Sequence, residues 1–294
     1  MTSGRLSLAN WIADPQNPLT ARVIVNRIWA GHFGRGIVAT PNDFGKQGQT
    51  PTHPELLDWL AHRFVESGWS IKAMHRLMMR SHAYQLAAIN DPAARPGDPA
   101  NNLLSGFRPR RLDAEAIRDS LLVLSGNLDT SSSGPHPFPP SMEWRFTQHN
   151  PFKAVYPTNR RSVYLMTQRI QRHPYLAIFD GPDPSASTPL RLTSTTPLQA
   201  LFLLNDPFAH QQAEKLAERL LRERQEELAR IGRAYRLLFA RPPTEIELAS
   251  ADEFLMKART LLRESGTSAD RIENGAWQSY VRSLLLSNEL VYLD

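Results

Sequence analysis

Cysteine is absent from all 294 residues. That excludes disulfides, thiolate metal sites, a cysteine nucleophile and a C-x-x-C-H haem attachment within this chain. It fixes no compartment, because oxidising and reducing environments both tolerate cysteine-free proteins. Lysine is scarce as well: 5 lysines stand against 29 arginines, and the net charge is +5. Arginine suits bidentate contacts to carboxylate or phosphate, although a GC-rich genome produces the same bias. The cations are scattered among 29 acids without a basic tail, so nucleic acid is not the partner this pattern favours. No apolar run nears the ~18–20 residues that a membrane-spanning helix needs. The opening MTSGRLSLANWIADP lacks a basic start, a long apolar region and a small-residue cleavage site, and does not read as a secretory signal.

With 41% hydrophobic and 21% charged residues, the chain has the composition of a globular protein. The length suits one large domain or two ordinary ones. Helical periodicity dominates, predicting a mainly α fold: a multi-helix bundle in one domain over 1–294. Within it we expect an N-terminal helical core (1–127), a small irregular or β insertion (128–195) and a C-terminal helical bundle (196–294).

The stretch from Asn17 to Trp69 carries the densest set of polar groups that would have to be buried. Asn17 fits an N-cap and Pro18 a first helical position, with a helix running to about Phe33 and Gly34 as its stop. Steps of 100° put Leu19, Val23, Ala30 and Phe33 on one face, while Ile24, Val25, Ile28 and Trp29 cover most of the rest. Such a helix is expected to be buried all round. Asn26 then falls in the middle of the first face and Arg27 beside it. Burial would oblige both to find partners, and Asp14, Asp43, Glu55 and Asp58 are the nearby acids. A structural polar lock is the preferred reading; the alternative makes Asn26 and Arg27 the floor of a ligand site. Gly31, Gly34 and Gly36 resemble a phosphate loop only superficially, because they close a helix instead of opening one.

A polar loop, Val38 to Pro51, holds Asp43. Thr52 and Glu55 then form a capping-box pattern, followed by the apolar stripe Leu57, Leu60, Ala61 and Phe64. Ser70 can cap the next helix, with Ile71, Met74 and Met78 facing inward. His53, at a helix start between a cap and a carboxylate, joins Asp43, Glu55 and Asp58 as candidate acid–base groups, though a satisfied structural histidine is the blander reading. His75 and His82 lie two helical turns apart, too far to share one ion. With no H-E-x-x-H, no metal site is expected.

Beyond the connector Asn90–Gly106, Ile117, Leu121 and Leu124 mark a helix stopped by Gly126. Arg108, Arg110 and Arg111 precede its positive end, so internal ion pairs are expected, with a clasped anion as the alternative. Leu128 to Lys153 is proline-rich, with Phe138, Trp144 and Phe146, and reads as irregular. Arg161–Met166 reads as a strand. Asp180, Asp183 and Arg191 lead into a helix begun by Thr196-Pro197, with Gln199 in its first turn. That grouping fits a sugar or anion site at a helix N-terminus, or an ordinary turn network. The remaining chain is helical, with a second capping box at Thr244 and Glu247, and is read as scaffolding without convergent polar residues.

The segments NPLTARVIVNRIWAGHFGRGIV, PTHPELLDWLAHRFVESGWSIKAMHRLMMRSHAYQL, RRLDAEAIRD, RRSVYL, FDGPDPS, PLQALFLLND and RAYRLLFARPPTEIE together resemble the planctomycete-type domain of unknown function numbered fifteen fifty-three. The resemblance covers nearly the whole chain. It implies no transferable activity or catalytic residues. It implies a C-terminal module of a larger exported, periplasmic or cell-surface protein, whose partners are an upstream sister domain or a cytochrome c module. The chain is accordingly expected to be an isolated terminal domain or a fragment, with no cofactor of its own. A non-catalytic helical scaffold or binding module, serving a redox or polysaccharide-handling protein, is the preferred function and would show an exposed apolar patch. The alternative is a hydrolase or lyase on a polyanionic or sugar substrate. It would use Asp43, His53, Glu55 and Asp58, with anions held by Arg27, Arg110 and Arg191, and it requires two such acid–base groups converging with arginine in one pocket.

Overall fold

Helices dominate the described chain, joined by long irregular stretches. The computed structural model describes residues 3–88, 97–132, 156–169, 171–223 and 226–293, with single residues at 134, 140, 142, 145, 147 and 149. These fall into two compact units, residues 3–110 and 111–293, each with its own apolar core. Phe138, Trp144 and Phe146 lie outside the described residues.

In the first unit, α1 (Arg5–Ile12) buries none of its residues. Helix α2 (Thr20–Phe33) begins two residues later than expected, with Leu19 and not Asn17 at the N-cap, although Asn17 still serves the chain entering it. Its Oδ1 accepts from the Leu19 and Thr20 N–H groups at 2.9 and 3.1 Å. Gly34 stops α2 in the left-handed conformation, φ 78°. The helix is one-sided, not buried all round: Ala21, Val25, Asn26, Trp29 and Phe33 are buried while Leu19 is 46% exposed. That arc is rotated from the expected face, and it leaves Arg27 exposed. Burial of Arg27 is therefore corrected; its Nη2 donates to Asn42 Oδ1 at 3.0 Å.

Helix α3 (Pro54–Glu66) buries Leu57, Leu60, Ala61 and Phe64 as the stripe predicts. Its Thr52/Glu55 capping box does not form. The Thr52 hydroxyl and N–H both turn to the Ile37 carbonyl, at 3.3 and 2.9 Å, and His53 becomes the N-cap. Helix α4 (Ile71–Met79) is capped by Ser70, whose hydroxyl accepts from the Ala73 N–H at 3.2 Å. Met74 and Met78 are buried, but Ile71 is 52% exposed. An aromatic train joins Trp29, Phe33, Tyr84 and Phe107, with the first pair stacked 4.0 Å apart.

The second unit is built from α5 (Ala114–Ser125), α6 (Pro174–Ile178), α7 (Pro197–Asn205), α8 (Pro207–Glu223), α9 (Glu227–Phe239), α10 (Glu245–Glu264), α11 (Ala269–Leu285) and α12 (Asn288–Val291). Helix α11 packs on α8 and α10, and α5 on α8, around Trp277, Leu216, Leu220, Ile231 and Leu255. The two-residue strands β1 (Arg110–Arg111) and β2 (Tyr292–Leu293) pair in the one sheet among the described residues. The expected strand at Arg161–Met166 is instead a 3-10 turn over Ser162–Tyr164. Helix α5 captures its polar groups. Asp119 Oδ1 accepts the Ser162 N–H and hydroxyl at 2.8 and 2.7 Å, and buried Arg118 donates to the Arg160 carbonyl at 2.9 Å.

Candidate functional site

Two polar constellations emerge from the sequence-derived candidates, and both are sealed by their own members. Asn26 is fully buried, and its side-chain amide pairs with the backbone of Val38 on both sides, so it acts as the expected polar lock without Arg27. In the second unit, Arg111 meets Asp180 at 2.7 Å and Gln199 Oε1 at 2.8 Å, and also donates to the Ser194 carbonyl. Asp180 further accepts the Ser194 N–H and hydroxyl, both at 2.8 Å. Partial burial opposes its ionisation, but the Ser194 and Arg111 donors outweigh that and hold its pKa below the usual carboxylate value. Asp183 pairs with Arg172 at 3.0 Å and Arg191 with Glu115 at 2.9 Å. The grouping of Asp180, Arg111 and Gln199 is thus a satisfied turn network, with no lone pairs or donors aimed at a ligand beyond the orphaned Arg111 Nε.

The acid–base candidates separate. Asp58 pairs with Arg22 at 2.6 Å, Asp43 accepts from the Gly45 N–H at 2.8 Å, and Glu55 stands exposed in the first turn of α3. His53 Nδ1 lies 3.0 Å from Thr52 Oγ1. His53 lines two adjoining depressions of the first unit. One is a polar notch of ≈ 30 Å3 beside Arg35, Asn101, Asn102 and Arg108, room for about a water or two. The other is an apolar cleft of ≈ 690 Å3 walled by Leu56, Trp59, Leu60, Leu77 and Met78, with Arg76 and Arg80 at its margin. Trp29 and Leu104 are shared by both. Neither has an Asp or Glu in its wall. The cleft volume falls within the ~300–1,000 Å3 typical of small-molecule sites.

The loop beside the notch is internally hydrogen-bonded. Asp98 Oδ1 and Oδ2 accept from the Asn102 and Leu103 N–H groups at 2.7 and 2.8 Å, and Asn101 Nδ2 donates to the Gly106 carbonyl at 2.7 Å. Arg35 ties this loop to the body through Asn102 Oδ1 at 2.6 Å. Leu104 is held at φ 57°, a conformation disfavoured for a bulky side chain.

Charge divides sharply between the units. Residues 1–110 hold 12 Arg and Lys against 7 Asp and Glu, whereas residues 111–294 hold 22 of each, so the whole excess of +5 belongs to the first. In the second unit two arginines are clamped by pairs of acids: Arg259 between Glu227 and Glu273, Arg241 between Glu247 and Glu289. These convergent polar groups correct the reading of the C-terminal helices as lacking them. Arg76 and Arg80 at the cleft, and Arg35 and Arg108 at the notch, make no salt bridge among the described residues. Of the three arginines expected to be ion-paired, Arg111 pairs with Asp180 while Arg108 and Arg110 make no salt bridge among the described residues. Sequence reasoning missed Arg35, Arg76 and Arg80, although Lys72, Arg76 and Arg80 recur at four-residue spacing along one face of α4.

His32 Nε2 and His75 Nδ1 lie 2.7 Å apart, joining α2 to α4. Burial, then His75 and Arg110, push the His32 pKa down. Arg110 keeps a buried Nε without a partner. Among the described residues no three His, Asp or Glu side chains group to hold a metal ion, and no helix is long and apolar enough to cross a membrane.

These features define a mainly helical protein of two compact units, one neutral and internally ion-paired, the other basic and carrying a ligand-sized apolar cleft. Residues 4–255 match the family described as PSD1, Protein of unknown function (DUF1553), and the chain belongs to that family. No curated protein and no solved structure gives a match.

Proposed function

We propose that this chain is a non-catalytic binding module in which the second unit is scaffold and the first unit binds. The observation that carries this reading is the apolar cleft of ≈ 690 Å3, whose wall contains no carboxylate. General acid–base chemistry needs at least two titratable groups within reach of one substrate, and the lining of the two depressions holds His53 but neither Asp nor Glu. Exposed Leu6, Leu8 and Trp11 on α1, at 75, 56 and 56%, add the apolar docking surface a scaffold needs. The setting we infer from the family resemblance is a larger exported protein, periplasmic or at the cell surface. An upstream sister domain or cytochrome c module would supply any redox chemistry there, and polysaccharide is a candidate substrate of the whole.

For the hydrolase-or-lyase alternative, only His53 among the acid–base candidates lines the depressions; Asp58 pairs with Arg22, Asp43 accepts from Gly45, and Glu55 is absent from their walls. The test is turnover. Uronate-containing polysaccharides and aryl glycosides incubated with the protein should release no product above buffer. Turnover abolished by His53→Ala would overturn the binding-module reading.

A further inference from the structure

We propose that the cleft between α3 and α4 binds a small amphipathic organic anion, an alkyl or aryl body carrying one carboxylate or phosphate head. This rests on the reading of the first unit as the binding unit and names its ligand class. Three observations converge. The cleft wall is apolar, formed by Leu56, Trp59, Leu77 and Met78, and Trp59 is left 45% exposed to contact an occupant. The volume of ≈ 690 Å3 matches a ligand of drug-like size, too large to be filled by a bare inorganic anion. The margin carries Arg76 and Arg80, whose side chains make no hydrogen bond or salt bridge among the described residues. In the same chain, the buried Arg111 and Arg230 of the second unit pair with Asp180 and Glu273. An unpaired guanidinium pair beside an apolar hollow favours an anionic head over a neutral or cationic one. The absence of Asp and Glu from the wall removes the repulsion such a head would otherwise meet.

The test uses the full chain and isothermal titration with decanoate, decyl phosphate, 1-decanol and acetate, with Trp59 fluorescence as a second readout. Decanoate or decyl phosphate should saturate the protein and bind at least about tenfold tighter than 1-decanol and acetate, roughly the 1.4 kcal/mol of one charge-assisted contact. Whichever of the two binds tighter separates a carboxylate-headed ligand from a phosphate-headed one. The double variant Arg76→Gln/Arg80→Gln, at two exposed positions, should lose that preference while keeping the wild-type melting curve. Ala73→Phe, which fills the cleft, should abolish binding altogether. Equal affinity for decanoate and 1-decanol, or wild-type affinity in the arginine variant, would overturn the proposal. So would saturation by an acidic amphipathic peptide with none by either decyl anion. Turnover of a glycoside would sink the non-catalytic reading and leave this result standing.

Discussion

Asn26 grips Val38 with both halves of its side-chain amide: Nδ2 donates to the Val38 carbonyl at 3.0 Å and Oδ1 accepts the Val38 N–H at 2.9 Å. Two residues of separate backbone, one on α2 and one in the following loop, are thereby joined as if by a short stretch of sheet. Gly36 makes the approach possible, since a Cβ there would sit 2.5 Å from the Val38 carbonyl oxygen and 2.7 Å from Asn26 Nδ2. Removing the amide strands a buried donor and a buried acceptor. Asn26→Ala should therefore destabilise the first unit by about 2–5 kcal/mol, and Gly36→Ala should be destabilising through the clash. Urea unfolding followed by Trp29 fluorescence measures both; a loss below about 0.5 kcal/mol for Asn26→Ala would contradict the lock.

Arg111 should be comparably intolerant in the second unit. Its side chain is 5% exposed and serves Asp180, Gln199 and the Ser194 carbonyl together. Breaking one side of a buried ion pair costs about 3–5 kcal/mol. Arg111→Ala should approach that loss in chemical denaturation. Arg111→Lys should recover only part, because one ammonium cannot reproduce the planar fork.

Acid should weaken the second unit through Glu247. Arg241's hydrogen bonds, reinforced against burial by the Thr244 N–H and hydroxyl, hold this carboxylate down at about 2 against an ordinary 4.5. With the folded value depressed, the unfolded chain binds the proton more readily. The stabilisation is complete above pH 4.5 and is lost as pH falls towards about 2. Glu247→Gln should lower stability at neutral pH and flatten that acid limb, as read by melting temperature against pH.

His32 should titrate below the ordinary histidine value. Burial, His75 and Arg110 all oppose its protonation, and Tyr84 packs edge-on against its ring at 5.5 Å. Stability from this group is present above the unfolded value of 6.5 and is lost as pH falls through the lower folded one. An NMR titration should show the His32 midpoint rising in His75→Gln and again in Arg110→Gln. No movement in either variant would remove the proposed neighbours.

Much of the fold was written in local pattern. The stripe Leu57/Leu60/Ala61/Phe64 emerged buried, Gly34 stopped α2, and the Thr244/Glu247 capping box formed. Such features depend on neighbours three or four residues away, so the chain itself specifies them. The family, too, was readable from contiguous segments. Exceptions arose where a distant group outbid a local one. Thr52 left its capping box for Ile37, and Ser162 left a strand-like segment for Asp119 on α5.

What tertiary structure alone decided is which polar residues meet. Arg27 and Arg111 look alike in sequence, yet packing turned one to solvent and surrounded the other with Asp180, Ser194 and Gln199. Arg76 and Arg80 gained interest only when α3 and α4 enclosed an apolar hollow beside them. Periodicity fixes the face a side chain occupies on its own helix, because that is set by a 100° step. The partner across the interface depends on how helices cross and where loops return, and no local repeat encodes that geometry.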